Sequence, residues 1–163
     1  MKKGDLILVH GRYDAVSWLI RLFTKSYWNH VGIFVDQKHI LEVRGRRIAL
    51  SPLNRYAYNK KFDCKIVTIR GLKPVQIKKA IDYMIDITEK GYFKWVWSCI
   101  LAFFNTSYEL PRRTCSGLIA EAFASVDFYF RKDKHPSMIT PADIAKSGKT
   151  KNVTGKELYR RII

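Results

Sequence analysis

The sequence is poor in cysteine and in acidic residues, and each shortage excludes something. Its three cysteines, Cys64, Cys99 and Cys115, make an odd number and include no Cys-x-x-Cys pair. A disulfide framework and a zinc knuckle are therefore not expected, and a reducing compartment is. No His and carboxylate residues fall at metal-ligand spacing, so neither a metal nor another cofactor is expected. No apolar run approaches the roughly 20 residues that a spanning helix needs. The stretch after Met1-Lys2-Lys3-Gly4-Asp5 is too short for a signal-peptide core. The protein is expected in the cytoplasm, at most peripheral to a membrane. Internal repeats, low-complexity tracts and an interdomain linker are also missing.

Acids number 14 against 30 Lys and Arg, a net charge of +16. Such an excess favours an anionic partner, whether a membrane surface, a nucleic acid or an acidic polymer. The positive charge is spread from Lys2-Lys3 to the Lys146 to Lys156 segment and forms no single basic arm. No nucleic-acid motif accompanies it, so no specific nucleic-acid partner is expected. With 163 residues and 47% hydrophobic content, the chain can bury one ordinary core, and residues 1–163 are read as a single domain.

The rest is organised around Trp28-Asn29-His30-Val31-Gly32-Ile33-Phe34-Val35. Alternation predicts a half-buried strand with Val31, Ile33 and Val35 on the core and Trp28, His30, Gly32 and Phe34 on an aromatic outer face. Ile40 to Arg44 follows as a second strand after Asp36-Gln37-Lys38. A three-residue turn puts Glu42 opposite Gly32 and diagonal to His30 on one face. A two-residue turn would reverse the parity and turn Leu41 and Val43 away from the core, so the longer turn is favoured.

Elsewhere, Leu6 to Val9 reads as a strand, and Asp14 as the cap of a helix to about Thr24. Arg44 to Arg47 reads as a basic turn, and Ser51-Pro52-Leu53 as a helical turn with Pro at its first position. Phe62 to Arg70 is a strand ending at Gly71, and Pro74 opens a helix to about Lys90. Tyr92 to Phe104 is the most apolar segment, apolar all round if helical. Burial explains it, and two Trp residues beside Lys94 keep an interfacial role open. Thr140 is a candidate cap with Pro141 behind it, and a strand near Glu157 to Ile162 is expected to close the sheet.

Thr114 is a good N-cap and places Cys115 in the first turn of a helix running to about Val126. There the free backbone N–H groups and the positive end of the dipole favour thiolate and can hold an oxyanion. Cys115 also shares a stripe with Leu118, Ile119, Ala122 and Phe123, so packing alone accounts for it equally well. Cys64 and Cys99 have no comparable setting. Of the other histidines, His10 ends the first strand, His39 has the wrong parity for the Glu42 face, and His135 lies in a polar loop.

The run Cys115-Ser116-Gly117-Leu118 at a helix start, with Gly91-Tyr92 upstream, resembles the nucleophile motif of the NlpC-type cysteine hydrolases. The order here, with the His30 strand and Glu42 first and Cys115 last, is similar to the circularly permuted YiiX/YebB-like branch, related more distantly to lecithin:retinol acyltransferase-like enzymes. Gly4-Asp5-Leu6-Ile7, Ser51-Pro52-Leu53 and Thr140-Pro141-Ala142-Asp143-Ile144 also resemble that branch, over about residues 4 to 146. The resemblance implies an α+β, permuted papain-like fold: an antiparallel sheet packed on helices, with the nucleophile at a helix N-terminus. It implies Cys115 as nucleophile, His30 as base and Glu42 as the group orienting the imidazole, with Tyr92 a weaker transfer for the oxyanion or substrate. Where relatives carry an acid two places after the motif Tyr or one before the Cys, this chain has Lys94 and Thr114.

The leading expectation is a thiol hydrolase cleaving an amide bond, of peptide or cell-wall type, through an acyl-enzyme. Two alternatives stay open. One is a lipid ester or amide hydrolase or acyltransferase at an anionic membrane surface. The other is a non-catalytic basic module that binds membrane or nucleic acid.

Overall fold

A computed structural model describes residues 1–12, 26–44, 47–57, 59–89 and 114–154. These residues include six strands: β1 Leu6–Gly11, β2 His30–Phe34, β3 His39–Arg44, β4 Arg47–Pro52, β5 Phe62–Ile69 and β6 Thr150–Asn152. They form one sheet in the order β4-β3-β2-β1-β5-β6, and every pairing is antiparallel. The helices are α1 Pro74–Glu89, α2 Cys115–Ala124 and α3 Pro141–Lys146, with single 3-10 turns at Leu53–Arg55 and Pro136–Met138. The class is α+β, as expected. None of the described helices is long and apolar enough to cross a membrane.

The first core lies between one sheet face and the helices. Leu6 and Leu8 of β1, Val31 and Ile33 of β2 and Leu41 and Val43 of β3 meet Ala80, Ile81, Met84 and Ile87 of α1 and Leu118, Ile119, Ala122 and Phe123 of α2. On α1 these positions follow the 3.6-residue period. Val75 and Ile85, on the same helix but off that stripe, stay exposed.

The opposite face is also covered, which corrects the expectation of an aromatic outer surface on β2. Phe34 is fully buried there, in a second core with Ile7, Val9, Ile40, Tyr56, Cys64 and Ile66. The chain leaving β4 folds back over this face through the Leu53–Arg55 turn, and Leu53 and Phe62 close it. Trp28 falls before the strand begins, so strand parity does not govern it. It packs against the first core instead.

Two edge strands had weak sequence signals. β4 takes up the end of the stretch read as a basic turn and the start of the one read as a helical turn, and Pro52 (φ −72°, ψ 145°) both ends the strand and caps the expected turn, which starts one residue later at Leu53–Arg55. Proline is tolerated at that edge because no ladder bond requires its missing N–H. β6 at Thr150–Asn152 flanks β5. The helix expected from Asp14, the apolar segment from Tyr92 and the strand expected near Glu157 lie outside the described residues.

Local chemistry sets the helix starts that frame the site. The Thr114 hydroxyl accepts from Gly117 N–H and caps α2. Thr140 and Asp143 form a reciprocal capping box on α3 with Pro141 behind the cap. The Asp5 carboxylate, buried near the start of β1, accepts from the Thr68 hydroxyl at 2.6 Å and from Lys2 N–H at 2.9 Å.

Candidate active site

Residue pairing between β2 and β3 puts Gly32 opposite Glu42, Ile33 opposite Leu41 and Phe34 opposite Ile40. This is the register that the three-residue turn requires. His30 and Glu42 therefore project from one face, one residue pair apart on the diagonal. The His30 Nε2–H donates to Glu42 Oε2 at 2.7 Å. Glu42 is completely buried, whereas the His30 side chain keeps 21% of its surface.

α2 packs across the sheet so that its first turn meets the beginning of β2. Cys115 is thereby brought to His30. Because Glu42 occupies Nε2, the ring presents Nδ1 to the sulfur. Backbone N–H groups of Ser116 and Val31 also face that sulfur and help to lower its pKa. Burial works to raise the thiol pKa, but the His30 charge, its hydrogen bond and these N–H groups outweigh it and hold Cys115 below an ordinary thiol. Burial likewise opposes the imidazolium, yet Cys115 first and Glu42 second push the His30 pKa up to about 10. Both shifts favour the thiolate and imidazolium form of the pair over the neutral one. Cys64 has the opposite environment: burial, with Asp63 nearby, pushes its thiol up to about 12.

The residues following Cys115 fasten the first turn of α2. The Ser116 hydroxyl donates to the Ile139 carbonyl at 2.6 Å. Gly117 faces the turn at 136–138 so closely that a Cβ there would lie 2.6 Å from the Ser137 carbonyl oxygen. Both features seat the start of the helix that carries the sulfur.

Two further groups at the site were not among the expected site residues. The Tyr56 hydroxyl donates to Glu42 Oε2 at 2.5 Å, so two donors converge on a single oxygen. The Ser51 hydroxyl on β4 faces the same carboxylate and helps to lower its pKa, without reaching full hydrogen-bond geometry. Burial raises the Glu42 pKa, and His30, Ser51 and Tyr56 together more than reverse that. Recognising either residue would have required knowing that β4 is a strand and that the following turn covers the sheet.

The other histidines stand apart from this constellation. His10 is buried at the end of β1, with its Nδ1–H donating to the Tyr27 carbonyl at 2.7 Å and its ring stacked on Tyr27. His39 pairs with Asp36, and His135 caps the turn at Pro136–Met138. Tyr92 lies outside the described residues. Among those residues no three His, Cys, Asp or Glu side chains are grouped to hold a metal ion.

No protein-family profile and no curated protein matches the chain. Among solved structures it is similar to the metalloprotein yiiX of Escherichia coli O157:H7 (DUF1105), with a TM-score of 0.65 and 17% identity. The alignment covers 94% of this chain and 96% of that one. The two share a fold. At this identity the likeness concerns the path of the chain and the order of its elements, and the yiiX-like branch suggested by the motif order agrees with it.

Proposed function

We propose that this protein is a cysteine acyl hydrolase of the permuted, NlpC-type papain-like class, with Cys115 as nucleophile, His30 as proton carrier and Glu42 as the orienting acid. One arrangement carries the reading: Cys115 opens a capped helix beside an imidazole that is bonded to a buried carboxylate, and each of the two groups shifts the other toward its charged form. A packing cysteine needs no such partner, as Cys64 illustrates.

In this reading the Cys115 thiolate attacks a carbonyl carbon, and the carbonyl oxygen takes up negative charge near the first turn of α2. As the sulfur becomes bonded, its negative charge leaves the pair. The imidazolium loses the neighbour that held its proton and becomes a stronger acid. His30 then protonates the leaving group, and the acyl group remains on sulfur. Water enters with its proton passing to the now neutral His30, the thioester breaks, and the pair returns to its charged state. Glu42 keeps the ring aligned throughout.

An amide is the favoured substrate, because an amine leaves only once protonated and His30 arrives carrying the proton. A lipid ester or amide at an anionic surface uses the same steps, and the +16 charge supports that second substrate class. Within the described site the two ring nitrogens of His30 are taken by Glu42 and the sulfur, and no third donor joins them.

Intact-mass screening against dipeptide amides, cell-wall-type peptides and vesicle-presented lipid esters tests the proposal. Hydrolysis or an acyl adduct on Cys115, lost in Cys115→Ala, is the expected result. Turnover that persists in Cys115→Ala would defeat it.

A further inference from the structure

Glu42 has no exposure to water at all. A carboxylate so placed stays ionised only if donors replace its hydration. His30 supplies one donor, and that donor is the very proton the reaction needs. With nothing else to stabilise it, the buried carboxylate would lower its own cost by drawing the proton off the imidazolium. The Cys115 thiolate would then lose its counter-charge.

We infer that Tyr56 is a positioning residue for the same triad, donating its hydroxyl to Glu42 so that the carboxylate stays anionic and the proton stays on His30. The inference rests on the proposed roles of Cys115, His30 and Glu42. The geometry is specific. Tyr56 is 5% exposed and donates to the same oxygen that receives His30. Its ring is held edge-on by Phe62 at 5.2 Å, and the Arg55 guanidinium lies over it at 5.9 Å. Its backbone N–H is bonded to the Leu53 carbonyl at 3.0 Å. The turn that closes the second core thus delivers a neutral donor to the acid of the triad. The other oxygen, Oε1, has no full hydrogen bond, and the Ser51 hydroxyl faces the carboxylate without making one, so among the described residues the full hydrogen bonds to Glu42 all reach Oε2. A neutral donor is required here: a Lys or Arg would compete with His30 as counter-ion, whereas a phenol lowers the basicity of the acid without adding charge.

The test reads Cys115 alkylation by iodoacetamide against pH, located by peptide mass, and needs no substrate. Wild-type protein is expected to show an acid limb well below the pH of an ordinary thiol. Tyr56→Phe keeps the ring and removes the hydroxyl. Its acid limb should move up by about half a pH unit or more, with the melting temperature recorded alongside. In a Glu42→Gln background the same substitution should move nothing further, because its only route to the sulfur is gone. Ring-fluorinated tyrosine placed at position 56 is a stronger donor and should move the limb the other way. That measurement decides the matter should Tyr56→Phe fail to fold. An ordinary thiol profile in wild-type protein would sink the triad itself. A low wild-type limb that neither Tyr56 variant shifts would leave the triad standing and overturn the role of Tyr56. So would an equal shift in the Glu42→Gln background.

Discussion

Gly32 and Glu42 face one another across β2 and β3, and the missing side chain of the first makes room for the second. A Cβ at position 32 would lie 2.4 Å from Ile40 Cγ2 and 3.3 Å from Glu42 Cβ. Ile40 of β3 thus fills most of the space a larger residue would take, with the Glu42 Cβ close beside it, and the Glu42 carboxylate bonds to His30.

Gly32→Ala is accordingly expected to force Ile40 and Glu42 aside. Overpacking of this kind costs about 1–3 kcal/mol, readable by denaturant unfolding. Cys115 alkylation near neutral pH should fall with it. A variant with wild-type stability and wild-type alkylation would show that the close approach is not needed.

The two described thiols should respond to pH in opposite ways. Cys115, below its ordinary pKa, is thiolate above its acid limb and loses that charge as pH falls through it. His30 keeps its proton until pH rises through about 10. Hydrolysis should therefore run on a plateau between these limits and decline on both sides. Cys64, pushed up to about 12, should stay unmodified across the plateau, and Cys64→Ala should leave Cys115 labelling unchanged. Equal rates at the two thiols would contradict the assigned environments.

Glu42→Gln preserves shape and removes the negative charge facing His30 Nε2. The amide can still orient the ring but cannot balance an imidazolium. A loss in kcat of about 10- to 1,000-fold is expected, with KM less affected. The basic limb near pH 10 should move down, since Glu42 raises the His30 pKa. A full kcat with an unmoved limb would remove Glu42 from the triad.

Gly117→Ala tests the seat of α2. Its Cβ would press on the Ser137 carbonyl at 2.6 Å and on Thr114 Oγ1 at 3.0 Å. Stability should drop by about 1–3 kcal/mol, and the sulfur should shift with the first turn. Ser116→Ala, which strands the Ile139 carbonyl accepting at 2.6 Å, should cost about 1 kcal/mol by the same unfolding measurement. Ordinary stability in both would mean that the helix start is held elsewhere.

Several features were legible because they are local. Thr114 and Thr140 cap their helices as their positions suggested, since capping depends on side-chain chemistry within one turn. The period of two along β2 and β3 put Glu42 beside His30, because a strand of known register leaves only one choice of face. β4 was not legible: it lies at the sheet edge, with Ile48 buried and Leu50 59% exposed. Its apolar residues therefore report no clean alternation.

By itself, then, the sequence determined the shared face of His30 and Glu42 and the capped helix start that carries Cys115, set by fixed periods and covalent neighbours. Only the tertiary structure decided that the turn after β4 folds over the sheet, burying Phe34 and carrying Tyr56 to Glu42. It alone also set Cys115 of α2 against His30 of β2. Those encounters join segments far apart in the chain, and they come from the packing of two cores whose partners no local pattern names.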